Sequence, residues 1–174
     1  MSQQPPPDIG PDRAPPKSNT TLIVIVVASV CLLGCCVIGV VAAIAIPNLI
    51  EARKGSNEAA AIGAMRTITT AQELHREGDK DRNGKLDYAR SLRTLEEERL
   101  IDGVLGSGTK QGYTFEVRQA DDDHWSATAT PAQPGKSGDR SFFVDESGLI
   151  RFRTEPRGAR ATAQDQPIGT YGGR

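Results

Sequence analysis

From Leu22 to Ile46 the chain reads LIVIVVASVCLLGCCVIGVVAAIAI, with no charged residue, Asn, Gln or Pro. As a helix this run is ~37 Å long, enough to cross a ~30 Å hydrocarbon core with some tilt. Lipid offers the backbone no hydrogen-bond partners, so the run is expected to be helical. Beyond it the apolar positions thin out to a helical rhythm, with Leu49, Ile50, Ile62, Met65, Ile68 and Leu74 separated by Ala and polar residues. The pattern predicts one long helix from about residue 22 to about residue 75, its first half in a membrane and its second half laid on a globular domain. Pro47 removes one helical hydrogen bond and is expected to kink it. Gly55-Ser56 is a point where the helix is expected to loosen, with Ser56 or Asn57 recapping it and Glu58 near the new N-terminus.

The period then changes. Residues 78–88 (GDKDRNGKLDY) are a turn by composition, and Ser91 caps a short helix running to about Ile101. Apolar–polar alternation marks strands at 113–117 and 124–130, and two further strands are read at 141–145 and 149–153, joined by short turns and a Pro/Gly-rich loop at 131–139. Short connections imply an antiparallel sheet with one buried face. The predicted fold is α+β: a long N-terminal helix packed on a small sheet of three to four strands. Its boundaries are a disordered, proline-rich tail over 1–21, a transmembrane helix over 22–47, a globular domain over 48–153 and a loose tail over 154–174.

Composition narrows the function. Net charge is −1 and the basic residues are scattered, which argues against a nucleic-acid partner. All three cysteines, Cys31, Cys35 and Cys36, lie in the apolar run, so the globular domain has no disulfide and no thiolate metal site. Leu32-Leu33-Gly34-Cys35 has the shape of a lipobox, although the apolar run continues past it. A cleaved signal peptide fits poorly, since no small-x-small site precedes a polar mature start. Arg13 and Lys17 favour a cytoplasmic tail, offset by Arg53 and Lys54 on the other flank.

Few motifs carry chemistry. Gly106-Ser107-Gly108-Thr109-Lys110 and Gly135-Lys136-Ser137 lack the order and context of a phosphate loop. His75 and His124 stand apart with no Cys beside them, so no zinc site is expected, and no catalytic constellation is visible. The one spacing with meaning is Asp79-x-Asp81-x-Asn83-Gly84-x-x-Asp87, which follows the first nine positions of an EF-hand-type calcium loop, with Lys85 offering its backbone carbonyl. Its last position, where a bidentate Glu belongs, is Arg90, so Glu96 or Glu97 would have to substitute. A plain polar turn held by Asx hydrogen bonds is the other reading.

The run Gly39-Val40-Val41-Ala42-Ala43-Ile44-Ala45-Ile46-Pro47-Asn48-Leu49 resembles the N-terminal helix of type IV pilins and of the pseudopilins of type II secretion. The GDKDRNG…DYA…LIDG…SGTKQGYTF pattern is similar to the major-pseudopilin-like branch, some members of which bind calcium in a loop of the globular domain. The resemblance implies a single-pass protein of the bacterial inner membrane with its C-terminal domain outside the cytoplasm. It also implies partners: the membrane, and further copies or other pilin-like subunits, packed through the small residues Gly34, Gly39, Ala42 and Ala43 near Pro47. The family's Gly-Phe processing site and the Glu after it are missing. Counted back from Pro47 they fall on Ile25 and Val30, and aligned on Thr21 they fall at Asn19-Thr20 and Val24. That Glu offsets a newly made amine in an apolar filament core, so its absence accords with a chain that is not cleaved. The expectation is a non-enzymatic structural component of a secretion or pilus-like system. The alternatives are a tethered binding or sensor domain that does not polymerise, and a lipoprotein anchored at Cys35.

Overall fold

The computed structural model describes residues 19–154 and 159–169. The predicted N-terminal tail lies almost wholly outside them. The chain divides between Ala45 and Ile46 into two units. Helix α1 (Thr20–Glu77) runs through both without a break.

In the first unit α1 is apolar and uncovered. Val30, Leu33, Ile38 and Val41 are each at least 60% exposed, and nothing in the apolar window is buried. This helix is long and apolar enough to cross a membrane.

In the second unit α1 buries one face. Glu58, Ala61, Ala64, Met65, Ile68, Ala71, Gln72 and His75 are all buried, recurring every three or four residues with adjacent pairs at 64/65 and 71/72, which is one stripe of a 3.6-residue helix. Leu49, Ile50 and Leu74, expected to face the core, are exposed. The stripe therefore leans on alanines, which let the helix lie close, and on polar residues with partners elsewhere. Asn57 Nδ2 donates to the Ser137 carbonyl at 2.9 Å. Glu58 accepts from the Asp139 and Arg140 N–H groups at 2.9 and 3.2 Å and from Arg140 Nε at 2.8 Å. These ties fall where the helix was expected to loosen. Asn57 and Glu58 act across the fold rather than as a local cap, and α1 continues through Gly55 and Ser56.

Helix α2 (Leu92–Glu97) starts as expected, with Ser91 Oγ accepting from the Thr94 N–H at 3.1 Å. It ends four residues short of the predicted Ile101. A separate turn, α3 (Gly103–Gly106), follows, capped by Asp102, whose carboxylate accepts from the Leu105 N–H at 2.8 Å. The sheet has six strands, β1 (Thr109–Lys110), β2 (Tyr113–Ala120), β3 (Trp125–Pro131), β4 (Arg140–Asp145), β5 (Arg151–Thr154) and β6 (Gln166–Pro167), each antiparallel to the next in chain order. The two strands beyond the predicted count are two-residue edges. β6 shows that the segment after β5 is not a loose tail where it is described: Ala161 is buried and the Ala159 carbonyl accepts from Ser141 Oγ at 2.6 Å. Within the sheet large residues face small ones, as in Phe115–Ala129–Phe142 across β2, β3 and β4. Their buried side chains join Met65 and Ile68 of α1 with Leu92, Leu95 and Leu105 in one core.

Candidate metal centre

The turn after α1 is held by a network of side-chain-to-backbone hydrogen bonds. Asp79, Arg82 and Gly84 take positive φ values of 39°, 58° and 78°, which wind the chain tightly. Asp81 accepts from the Asn83 N–H at 3.2 Å, Asn83 Oδ1 accepts from the Lys85 N–H at 2.7 Å, and Asp79 accepts from the Gly84 N–H at 3.2 Å. The first two are Asx turns, in which a short polar side chain satisfies the backbone two residues on, while Asp79 reaches across the loop to a residue five positions on.

Both ends of the loop are clamped. Buried Gln72 of α1 donates from Nε2 to the Ala89 carbonyl at 2.9 Å and accepts from the Ala89 N–H at 2.8 Å. Arg76 Nε donates to the Leu86 and Asp122 carbonyls at 3.2 and 3.1 Å, and its guanidinium lies 5.2 Å from the Tyr88 ring centre. Burial, then the neighbouring Glu73 charge, pushes the Tyr88 phenol above its ordinary pKa.

Of the residues singled out by spacing, the structure gathers Asp81, Asn83, Lys85 and Asp87 around one cleft of about 400 Å³, where Tyr88 and Thr94 also line the wall. Asp79 is not among the lining residues, and its carboxylate faces the Gly84 amide. Arg90 does line the cleft, while Glu96 and Glu97 do not. Glu97 pairs instead with Arg93 at 3.0 Å.

A residue set aside at the level of sequence joins the cleft. His75, on the last turn of α1, is only 3% exposed. A ring nitrogen of His75 and one carboxylate oxygen each of Asp81 and Asp87 lie within 4.8 Å of one another. His75 Nδ1 stands 2.6 Å from Glu98 Oε2. A carboxylate only accepts, so Nδ1 is the donor of this contact, and in the neutral ring that leaves the lone pair on Nε2. In sequence His75 stands only four residues before the loop's first aspartate, but nothing there marks its burial or its pairing with Glu98.

The residues considered for helix packing lie on the uncovered part of α1 or just beyond it. A Cβ added at Gly34 or Gly39 meets nothing within 4 Å, Ala43 is exposed and Ala42 half-buried, and Pro47 sits exposed inside the helix. The rejected phosphate-loop fragments run from the last residue of α3 through β1 and lie between β3 and β4, not between a strand and a following helix.

No family model matches the chain, and no curated protein is found to match it. The fold defines a class: an α+β protein with one long, apolar N-terminal helix and an antiparallel sheet, compatible with a pilin-like architecture.

Proposed function

We propose that this chain is a membrane-tethered structural protein of pilin-like architecture, serving a type II secretion or type IV pilus-like assembly of the bacterial inner membrane without classical processing. The observation that carries the reading is the division of labour along α1. One part is apolar and uncovered, while the other is sealed by the chain's own sheet. An uncovered apolar helix of this length needs lipid, or the helices of neighbours, around it. Gly34, Gly39, Ala42 and Ala43 would let such helices approach closely. The globular unit then stands outside the cytoplasm. The missing Gly-Phe and Glu support a chain retained at full length.

Two measurements on native membranes test this. Intact mass of the extracted protein is expected to correspond to the unprocessed chain. Mild oxidation is expected to link neighbouring copies through Cys31, Cys35 or Cys36, with Gly39→Leu reducing the linked species severalfold. A mature chain beginning near residues 20–26 would restore classical processing, and a lipidated Cys35 would make the protein a lipoprotein. Absence of any linked species, to itself or to another membrane protein, would favour a tethered binding domain.

A further inference from the structure

We propose that His75, Asp81 and Asp87 form a binding site for a first-row divalent transition ion of the zinc type, with Glu98 as the positioning residue behind His75. The inference does not depend on how the chain meets the membrane, because every residue it uses lies in the second unit.

The donor set points to the ion. Calcium takes six to eight oxygens, and an EF-hand-type loop turns its first, third and fifth side chains onto it. Here the first acid, Asp79, faces the Gly84 amide, and the Asn83 side-chain oxygen is taken by the Lys85 N–H. What converges instead is one imidazole and two carboxylates. Imidazole with carboxylate suits zinc and its neighbours.

His75 supplies the second, independent observation. Its ring is 3% exposed, its Nδ1 is held by Glu98, and among the described residues no hydrogen bond is made at Nε2. The ring lines the same cleft as Asp81 and Asp87. A histidine whose far nitrogen is fixed by a carboxylate is the usual arrangement at zinc, setting both tautomer and orientation.

Distances are compatible with a small closure. Two ligands at ~2.1 Å from one tetrahedral ion stand roughly 3.4 Å apart. The 4.8 Å bound on the cluster therefore asks for at most about 1.4 Å of closure between any two of the three atoms, to which the exposed Asp81 side chain can contribute. The two carboxylates are already held together by a group of positive character: Asn83 Nδ2 donates to Asp81 Oδ2 at 2.6 Å and to Asp87 Oδ1 at 3.3 Å. An ion would take over that role. Lys85 and Arg90 oppose it from the rim, but both are exposed and screened by water.

The test is calorimetric titration of the untagged, full-length, detergent-solubilised protein with Zn²⁺ and separately with Ca²⁺, plus absorption spectra with Co²⁺. One Zn²⁺ per chain is expected, preferred over Ca²⁺ by at least tenfold, together with Co²⁺ bands characteristic of a low-coordinate nitrogen and oxygen site. Asp81→Asn and Asp87→Asn, at positions that are not buried, are each expected to weaken Zn²⁺ at least tenfold. Glu98→Gln is expected to weaken it 10- to 100-fold and to alter the Co²⁺ bands, which a merely structural role would leave unchanged. His124→Gln, the other histidine, is expected to leave binding intact. Absence of Zn²⁺ binding, or binding untouched by both aspartate variants, would overturn the site. Ca²⁺ binding that survives His75→Gln would replace it with an all-oxygen loop. Because His75 is buried, the aspartate variants decide the matter should His75→Gln fold poorly.

Discussion

Gly138 has no room for a side chain. A Cβ there would collide with the hydroxyl of Tyr113 and come within 2.8 and 3.0 Å of its ring carbons. Tyr113 is fully buried, its hydroxyl donates to the Arg140 carbonyl at 2.8 Å, and its ring stacks at 5.9 Å from Phe142. Burial, then the nearby Glu58 charge, pushes the phenol above its ordinary pKa, which favours the neutral donor. Gly138→Ala is therefore expected to cost about 1–3 kcal/mol, the usual range for forcing atoms into a packed core. Tyr113→Phe removes the atom met first. Combined with Gly138→Ala it should cost less than the sum of the two single changes, measured by chemical denaturation in detergent. Strict additivity would show that another contact sets the need for glycine. Residues of this kind are the least legible in a sequence. Gly138 sits in a Pro/Gly-rich loop and reads as a turn residue, while its constraint comes from a side chain 25 positions earlier. Gln72 and His75 are similar: a pattern that sends polar residues to solvent cannot foresee that Ala89 and Glu98 will meet them inside.

Among the elements, those with their own period were legible. β2 and β3 alternate apolar and polar residues in sequence, β4 is a short apolar run between turns, Ser91 caps α2, and the apolar run makes the first half of α1. β1 and β6 have two residues each and no pattern to read, and exist because a longer neighbour offers its edge. The segment bearing β6 is held largely by one acid. Asp165 accepts from Arg153 Nε at 3.0 Å, from the Thr162 N–H at 2.6 Å and from Thr162 Oγ1 at 3.0 Å. The Arg153 hydrogen bond, aided by those from Thr162, holds its carboxyl below the ordinary value of 3.8. A carboxyl depressed in the folded state contributes stability that is complete above its unfolded value and is lost as pH falls through the folded one. The segment around 159–169 is thus expected to stay docked down to about pH 4 and to release first below it. Hydrogen exchange of the Ile168 amide, which donates to the Ile150 carbonyl at 2.9 Å, reports this directly. Asp165→Asn should raise exchange at neutral pH and flatten its dependence on acid. If wild-type Ile168 exchange does not change before global unfolding, Asp165 is not what holds the segment.

For the molecule as a whole, the arrangement of buried residues decides which part depends on which. Every residue of the hydrophobic core lies at Ala61 or later, and the earliest buried polar anchor is Glu58. Among the described residues none of the first unit belongs to that core, and the ties from Asn57, Glu58, Gln72 and His75 all lie within the second unit. A chain of residues 46–174 is therefore expected to fold by itself, remain soluble without detergent and unfold in one cooperative step. Most helical stability in a folded protein comes from the packed face, and here that face lies wholly in the retained part. Leu49 and Ile50 will stay exposed at the new terminus, where the first turns of the helix should fray. Trp125, the single tryptophan, is 1% exposed and stacks 6.2 Å from Tyr88, making it an internal reporter of the core. Its emission in the fragment should match that of the full chain in detergent, and the unfolding midpoints should agree within roughly 5 °C, a difference of about 1 kcal/mol. A fragment with red-shifted emission or without a cooperative transition would mean that the apolar half of α1 takes part in folding the globular unit. Its role would then exceed that of a tether.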